Sequence, residues 1–298
     1  MSDRVVVNVV DGVADVRLNR PDKLNALDNA MFQALVETGV ELARNRALRA
    51  VVLSGEGRAF CAGLDFASFT AMSSAASEAG GSSGADSKRS QRERAQRGEA
   101  ERSQQIRDSS ATSLLARDAA ESPANFAQRA AWVWTELPVP VIAAVHGVAF
   151  GGGFQLTLGA DMRFLSPDAR MSIMEIKWGL IPDMAGTPIL ASLVRDDILR
   201  DLTYTGRIFS AQEALAYGLA TRICDDPRAA AFEVAREIAG KSPDAIRAAK
   251  RLLNKLSVDP GPALLAESVE QQKLIGSVNQ LEAVRANIEK RAAKFSDA

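Results

Sequence analysis

Histidine and cysteine are scarce in this chain of 298 residues: His146 stands alone, and Cys61 and Cys224 are the only thiols. Two cysteines cannot build a disulfide framework, so the sequence reads as compatible with a reducing compartment. One histidine and two distant thiols argue against a His/Cys zinc centre, and no metal is expected. A Ser-His hydrolase would have to use His146, and no G-x-S-x-G elbow accompanies it. An excess of either charge is missing too. With 36 basic and 37 acidic side chains the net charge is −1, so no global field points to nucleic acid. The opening Met1-Ser2-Asp3-Arg4 lacks the apolar stretch of a secretory signal. The most apolar run, Leu137 to Gly153, is interrupted by Pro138, Pro140, His146 and several glycines, and is too short to cross a bilayer. A soluble, cytoplasmic protein is the expectation.

What is present suits one large α/β domain, or such a domain with a smaller helical appendage, given 47% hydrophobic residues. Val5 to Asn19 reads as a β-hairpin turning at Asp11-Gly12. Leu27 to Arg44 places Leu27, Met31, Leu35 and Leu42 at helical spacing. Arg49 to Ser54 reads as a buried strand, Phe126 to Leu137 as a helix, and Val139 to Val145 as another strand. Arg163 to Leu165 and Arg170 to Ile173 are short strand candidates. Ser210-Ala211-Gln212-Glu213 is a capping box, and Gly218 a stop for the helix it opens. Two apolar stripes follow, one on Ile246, Ala249, Leu252, Leu253 and Leu256, the other on Leu281, Val284, Ile288 and Phe295. Both read as core or subunit interface. Between Asp86 and Asp108 lie seven Lys/Arg and five Asp/Glu with no aromatic residue. Base stacking needs aromatics, so the Ser/Ala/Arg-rich stretch of about 70–122 reads as a solvated, partly helical insertion or lid, and a nucleic-acid partner is not expected.

Three segments carry chemistry. In Gly147-Val148-Ala149-Phe150-Gly151-Gly152-Gly153-Phe154-Gln155 an apolar strand runs into a glycine triplet where a helix begins. Such a start aims free N–H groups at whatever sits above it, as a phosphate cradle or an oxyanion hole. The G-x-G-x-x-G fingerprint fails both here and at Gly55, and no Walker A sequence occurs. The second segment, Phe60-Cys61-Ala62-Gly63-Leu64-Asp65, also follows a strand and offers another set of N–H groups that could meet the first. The third runs from Met174 to Thr187. Its carboxylates, Glu175 and Asp183, lie eight residues apart across Gly179 and Pro182, and only a folded loop could bring them together.

Taken in register, these segments resemble the crotonase (enoyl-CoA hydratase/isomerase) family. Phe60 to Asp65 resembles its AFxAGxD segment, His146 to Leu156 its (N/H)GxAxGGGxxL segment, and Glu175 to Gly186 its (P)E(x)xxGLxPxxG segment. Asn19-Arg20-Pro21-Asp22-Lys23-Leu24-Asn25-Ala26 and Glu289-Lys290-Arg291 fit as well, so the likeness spans nearly the whole chain outside about 70–122. The resemblance implies an α/β fold with a stacked ββα spiroid core over 1–205 and a helical trimerisation region over 206–298. It implies oxyanion-hole N–H groups at Leu64 and Gly152. Coenzyme A, arriving as part of the substrate with no tightly bound cofactor, would be contacted around Lys23, Leu24, Ala62 and Asp65, with Lys290 from a neighbouring subunit of a homotrimer or homohexamer. The hydratases of the family carry a glutamate where this chain has Gln155, and an amide can orient water or donate a hydrogen bond but cannot accept a proton. The Glu175/Asp183 spacing instead resembles the family's Δ3,5-Δ2,4-dienoyl-CoA isomerases, although those place an aspartate at the position of Gln155. Asp183 would then be the base near C2 and Glu175 the acid at the distal carbon, with Gln155 the third catalytic candidate. An enoyl-CoA hydratase, a Δ3-Δ2-enoyl-CoA isomerase using Glu175 alone, and a catalytically weak acyl-CoA-binding assembly subunit are the alternatives.

Overall fold

The computed structural model describes residues 3–65, 122, 124–178, 180–254, 278, 279, 282, 286 and 289–297. The chain enters through an antiparallel hairpin, β1 (Val5–Val10) and β2 (Val13–Leu18). Its two-residue turn needs positive φ at both positions, and Asp11 (φ 51°) and Gly12 (φ 77°) supply it. Helix α1 (Asn29–Arg44) starts two residues later than the periodicity of its leucines suggests. Asp28 caps it by accepting from the Met31 N–H at 2.8 Å, while Leu27 leaves the helix to pair with Leu64.

After β3 (Ala50–Gly55) and α2 (Phe126–Glu136), the chain forms β4 (Val141–Val145), β5 (Val148–Phe150), α3 (Gly152–Leu158), β6 (Met162–Leu165) and β7 (Arg170–Ser172). A 3-10 turn at Glu175–Trp178 leads into α4 (Gly186–Leu193) and α5 (Asp196–Thr205). Then come β8 (Phe209–Ser210), α6 (Ala211–Ala216), β9 (Arg222–Ile223), α7 (Pro227–Ala239) and α8 (Pro243–Leu253).

The strands make a six-stranded sheet, β1-β2-β3-β4-β6-β9, parallel from β2 onward, and a three-stranded sheet, β5-β7-β8. Side chains alternate across a strand, and the apolar runs of β3 and β4 send residues to both faces. Val51, Leu53, Val141, Ala143 and Val145 join the main core with α1 and α2. Ala50, Val52, Ile142 and Ala144 face Ala231 and Ala235 of α7. Burial on both faces is why these strands read as continuous apolar runs. The sheets continue past residue 205: β8 pairs with β7, and β9 with β6.

Short strands β5, β8 and β9 are not apparent in the sequence. The capping box at Ser210 is present as read, with Ser210 Oγ accepting from Glu213 N at 3.2 Å. On α8, Leu253 of the predicted stripe is 66% exposed, and with Ala248 the side chain of Lys250 goes inward. Its ammonium donates to the Val139 carbonyl at 2.9 Å and to Asp161 at 2.8 Å. Burial can be tolerated because each donor meets an acceptor. Leu256, Leu281, Val284 and Ile288 lie outside the described residues, as do the 70–122 stretch apart from Ser122 and, of the proposed trimerisation region beyond Asn254, all but residues 278, 279, 282, 286 and 289–297. Among the described residues no helix is long and apolar enough to cross a membrane.

Candidate active site

Two bends meet beside β5. The segment after β3 runs along β5 as a parallel bridge between Cys61 and Ala149, with Cys61 N donating to the Val148 carbonyl at 3.0 Å and Phe150 N to the Cys61 carbonyl at 3.1 Å. Asn25, fully buried in a left-handed conformation (φ 56°), holds the start of this segment. Its Nδ2 donates to the carbonyls of Glu56 and Ala59 at 2.9 Å, and Oδ1 accepts from Arg20 N at 2.8 Å. Gly63 follows at φ +93°, a conformation that costs other residues energy. A Cβ there would fall 2.6 Å from the Phe150 carbonyl oxygen and 3.8 Å from Gly152 N. Only a glycine lets the two bends come this close.

Each bend presents an N–H group. Gly152 is the first residue of α3, where amides have no acceptor within the helix. Leu64 sits in a parallel bridge with Leu27, in which Leu27 N donates to the Gly63 carbonyl and Asp65 N to the Leu27 carbonyl. Strand alternation therefore turns the Leu64 N–H away from Leu27. Leu64 and Gly152 line one cavity of about 240 Å³ together with Glu175 and Asp183, inside apolar walls that include Phe32, Ala127, Met174, Trp178 and Leu180. The folded loop that the eight-residue acid spacing demanded is the 3-10 turn and the stretch leading to α4.

Glu175 is buried, with 8% exposure. Its Oε1 accepts from Gln155 Nε2 at 2.6 Å, while Oε2 is buried without a hydrogen-bond partner. Burial raises its pKa above the usual carboxylate range, and the charge of Asp183 adds to the rise; backbone amides and the Gln155 amide oppose it. Asp183 is also raised by partial loss of its hydration, but it lies at the open side of the cavity where water reaches it. Of the two acids Glu175 is the more deeply buried.

Other candidates fall elsewhere. Gln155, grouped with the two acids on sequence grounds, does not line the cavity: it stands behind Glu175, and its Oε1 accepts from Met184 N at 2.9 Å and Gly186 N at 3.0 Å. Ala62 lines the cavity, and its N–H donates to the Leu24 carbonyl at 2.9 Å. Asp65 accepts from Arg20 Nη1 at 2.6 Å, which ties the loop after Leu64 to the segment of Lys23 and Leu24. Lys23 is exposed, and so is Lys290, which is not a lining residue. His146 donates from Nε2 to the Gly57 carbonyl at 2.9 Å, a structural bond that ties the end of β4 to the turn after β3. Burial pushes the Cys61 thiol up to about 12, so it stays protonated and is no nucleophile. Asn25 and Met184 were missed as positioning groups. The motif around Asn25 was the available signal; the Met184 contact acts through the main chain and leaves none.

The geometry agrees with the comparisons to known proteins. The family model described as "Enoyl-CoA hydratase/isomerase" matches residues 113–298, and a second of that description matches residues 13–96. The Delta(3,5)-Delta(2,4)-dienoyl-CoA isomerase, mitochondrial, of Mus musculus is 30% identical over 287 residues, covering 95% of this chain and 78% of its own. The carnitinyl-CoA dehydratase of Proteus mirabilis (strain HI4320) is 30% identical over 303 residues, covering 99% of each chain. Among solved structures, the enoyl-CoA hydratase from Bacillus anthracis superposes with a TM-score of 0.79 at 27% identity, covering 99% of this chain and 100% of that one. The fold is thus of the crotonase type, and the chain belongs to the enoyl-CoA hydratase/isomerase family of acyl-CoA enzymes.

Proposed function

We propose that the protein isomerises a 3,5-dienoyl-CoA to the 2,4-dienoyl-CoA, one cavity acid taking a proton from C2 while the other gives one to C6. The thioester carbonyl accepts hydrogen bonds from the Leu64 and Gly152 N–H groups. Ionised Asp183 removes a proton from C2, and the electron pair spreads over the carbonyl oxygen and the diene as a dienolate. Two amides facing the oxygen stabilise that charge as it forms; a single donor of this type is worth about 10²–10³ in rate. Protonated Glu175 then gives its proton to C6, leaving double bonds at C2 and C4. Asp183 has gained a proton and Glu175 has lost one. Asp183, at the open side, returns its proton to water, and Glu175 is reprotonated before the next turnover.

One observation carries this reading: Glu175, whose Oε2 is buried and unpartnered, lines the same cavity as Asp183, Leu64 and Gly152. Its raised pKa suits the acid role, and the exposure of Asp183 suits the base. Coenzyme A would lie along Lys23, Leu24, Ala62 and Asp65, with Lys290 reaching it from the next subunit of a homotrimer or homohexamer.

The test is a panel of enoyl-, 3-enoyl- and 3,5-dienoyl-CoAs, following the absorbance of the conjugated 2,4-product. Turnover of the 3,5-diene that disappears in the Glu175→Gln/Asp183→Asn double variant supports the reading. Preferential hydration of the enoyl-CoA, or no turnover of any member, overturns it; the second outcome favours an acyl-CoA-binding subunit.

A further inference from the structure

Gln155 is 1% exposed and contributes no surface to the cavity, yet both ends of its amide are committed. Its oxygen accepts two main-chain N–H groups, from Met184 at 2.9 Å and Gly186 at 3.0 Å. A backbone N–H cannot accept, so these two donors fix which way the amide faces. The NH₂ group must therefore point at Glu175, 2.6 Å away, and it can only donate.

We propose that Gln155 is a positioning residue that makes Glu175 a one-oxygen acid: Oε1 is held permanently as an acceptor, and every proton that Glu175 takes up or releases travels through Oε2. This rests on the reading of Glu175 as a proton-transfer group. Oε2 is the oxygen without a partner and belongs to the residue that lines the cavity. A neutral amide does this where a second carboxylate could not, because two carboxylates at 2.6 Å would share a proton and titrate as a pair.

The same side chain ties both acids to one frame. Met184 directly follows Asp183, and Gly186 opens α4. Ala185 between them sits at φ 63° and provides no side-chain cap, so the Gln155 oxygen caps the helix from 31 residues away. Position 186 has no room for a side chain: a Cβ there would lie 2.6 Å from Gln155 Oε1.

A carboxyl-carbon NMR titration of Glu175 in the full chain tests the proposal, with Glu175→Gln assigning the signal. It needs no substrate, so it reports on Gln155 even if the dienoyl-CoA is not turned over. Gln155→Met keeps the volume and removes donor and acceptor. Loss of a hydrogen bond to the charged form is expected to move the Glu175 midpoint up by about one pH unit. Where turnover is present, kcat is expected to fall on the order of 10–10²-fold with KM nearly unchanged. Gln155→Glu retains an oxygen for the two N–H groups and, when protonated, an O–H donor toward Glu175. Its rate should approach wild type at low pH and fall as the new pair ionises. An unmoved Glu175 midpoint in Gln155→Met overturns the proposal, as does a pH profile of Gln155→Glu parallel to that of wild type. Should Gln155→Met not fold, the pH profile and titration of Gln155→Glu decide alone.

Discussion

Replacing Gly63 by alanine strikes the contact that brings the two bends together. The new Cβ would sit 2.6 Å from the Phe150 carbonyl oxygen, whereas ordinary contact begins at 3.4 Å, a deficit of 3.4 − 2.6 = 0.8 Å. The obstructing atom is backbone, so no rotamer change relieves it, and the Leu64 and Phe150 segments must separate. Donors in an oxyanion hole work over a window of only about 0.4 Å, half the required shift. One donor is thus expected to lose its place, lowering kcat on the order of 10²–10³-fold. The positive φ adds about 1–2 kcal/mol of strain, lowering the unfolding midpoint without abolishing the fold. Steady-state turnover of a 3,5-dienoyl-CoA, with circular dichroism to verify folding, measures both effects. A folded Gly63→Ala protein with undiminished kcat would refute the reasoning, because the bends could then part without consequence.

Three further outcomes follow from the same structure. A carboxyl pKa raised by burial stabilises the fold below the unfolded-state value and is lost as pH rises through the folded-state value. Wild-type thermal midpoints should therefore fall as pH rises above the usual carboxylate range, and fall less in Glu175→Gln, which cannot ionise but still offers Gln155 an acceptor. Lys250→Met would leave Asp161 without its cation; with Asp161 still 30% exposed, a loss of about 2–4 kcal/mol is expected from urea unfolding, partly recovered by adding Asp161→Asn. Gly186→Ala should displace the Gln155 amide and lower kcat by about tenfold or more while substrate binding, read as KM, changes little.

Much of this architecture is local and so legible in sequence. The Asp11-Gly12 turn, the capping box at Ser210 and the leucine spacing of α1 each depend on residues within a few positions of one another. The three strands β5, β8 and β9 depend instead on partners brought from far along the chain, and each is only two or three residues long. Lys250 is legible as charged, but its inward course is set by the carbonyls of Trp134 and Val139. The acids at 175 and 183 could be singled out by type and by resemblance, yet not by periodicity, because a 3-10 turn rather than a continuous helix follows Glu175. Gln155 was legible only as a departure from a glutamate. Its task depends on two main-chain donors near residue 185, and main-chain hydrogen bonds leave almost no trace in side-chain identity.

Two amides converging on a thioester carbonyl are the centre of the proposed chemistry. Isotope-edited infrared difference spectroscopy of a dienoyl-CoA carrying ¹³C at that carbonyl reads the bond itself. On binding to the Glu175→Gln/Asp183→Asn protein, in which chemistry is stopped, the stretch is expected to move to lower wavenumber, and to move much less when Gly63→Ala is added. A carbonyl that keeps its free-solution frequency in the bound complex would contradict the account.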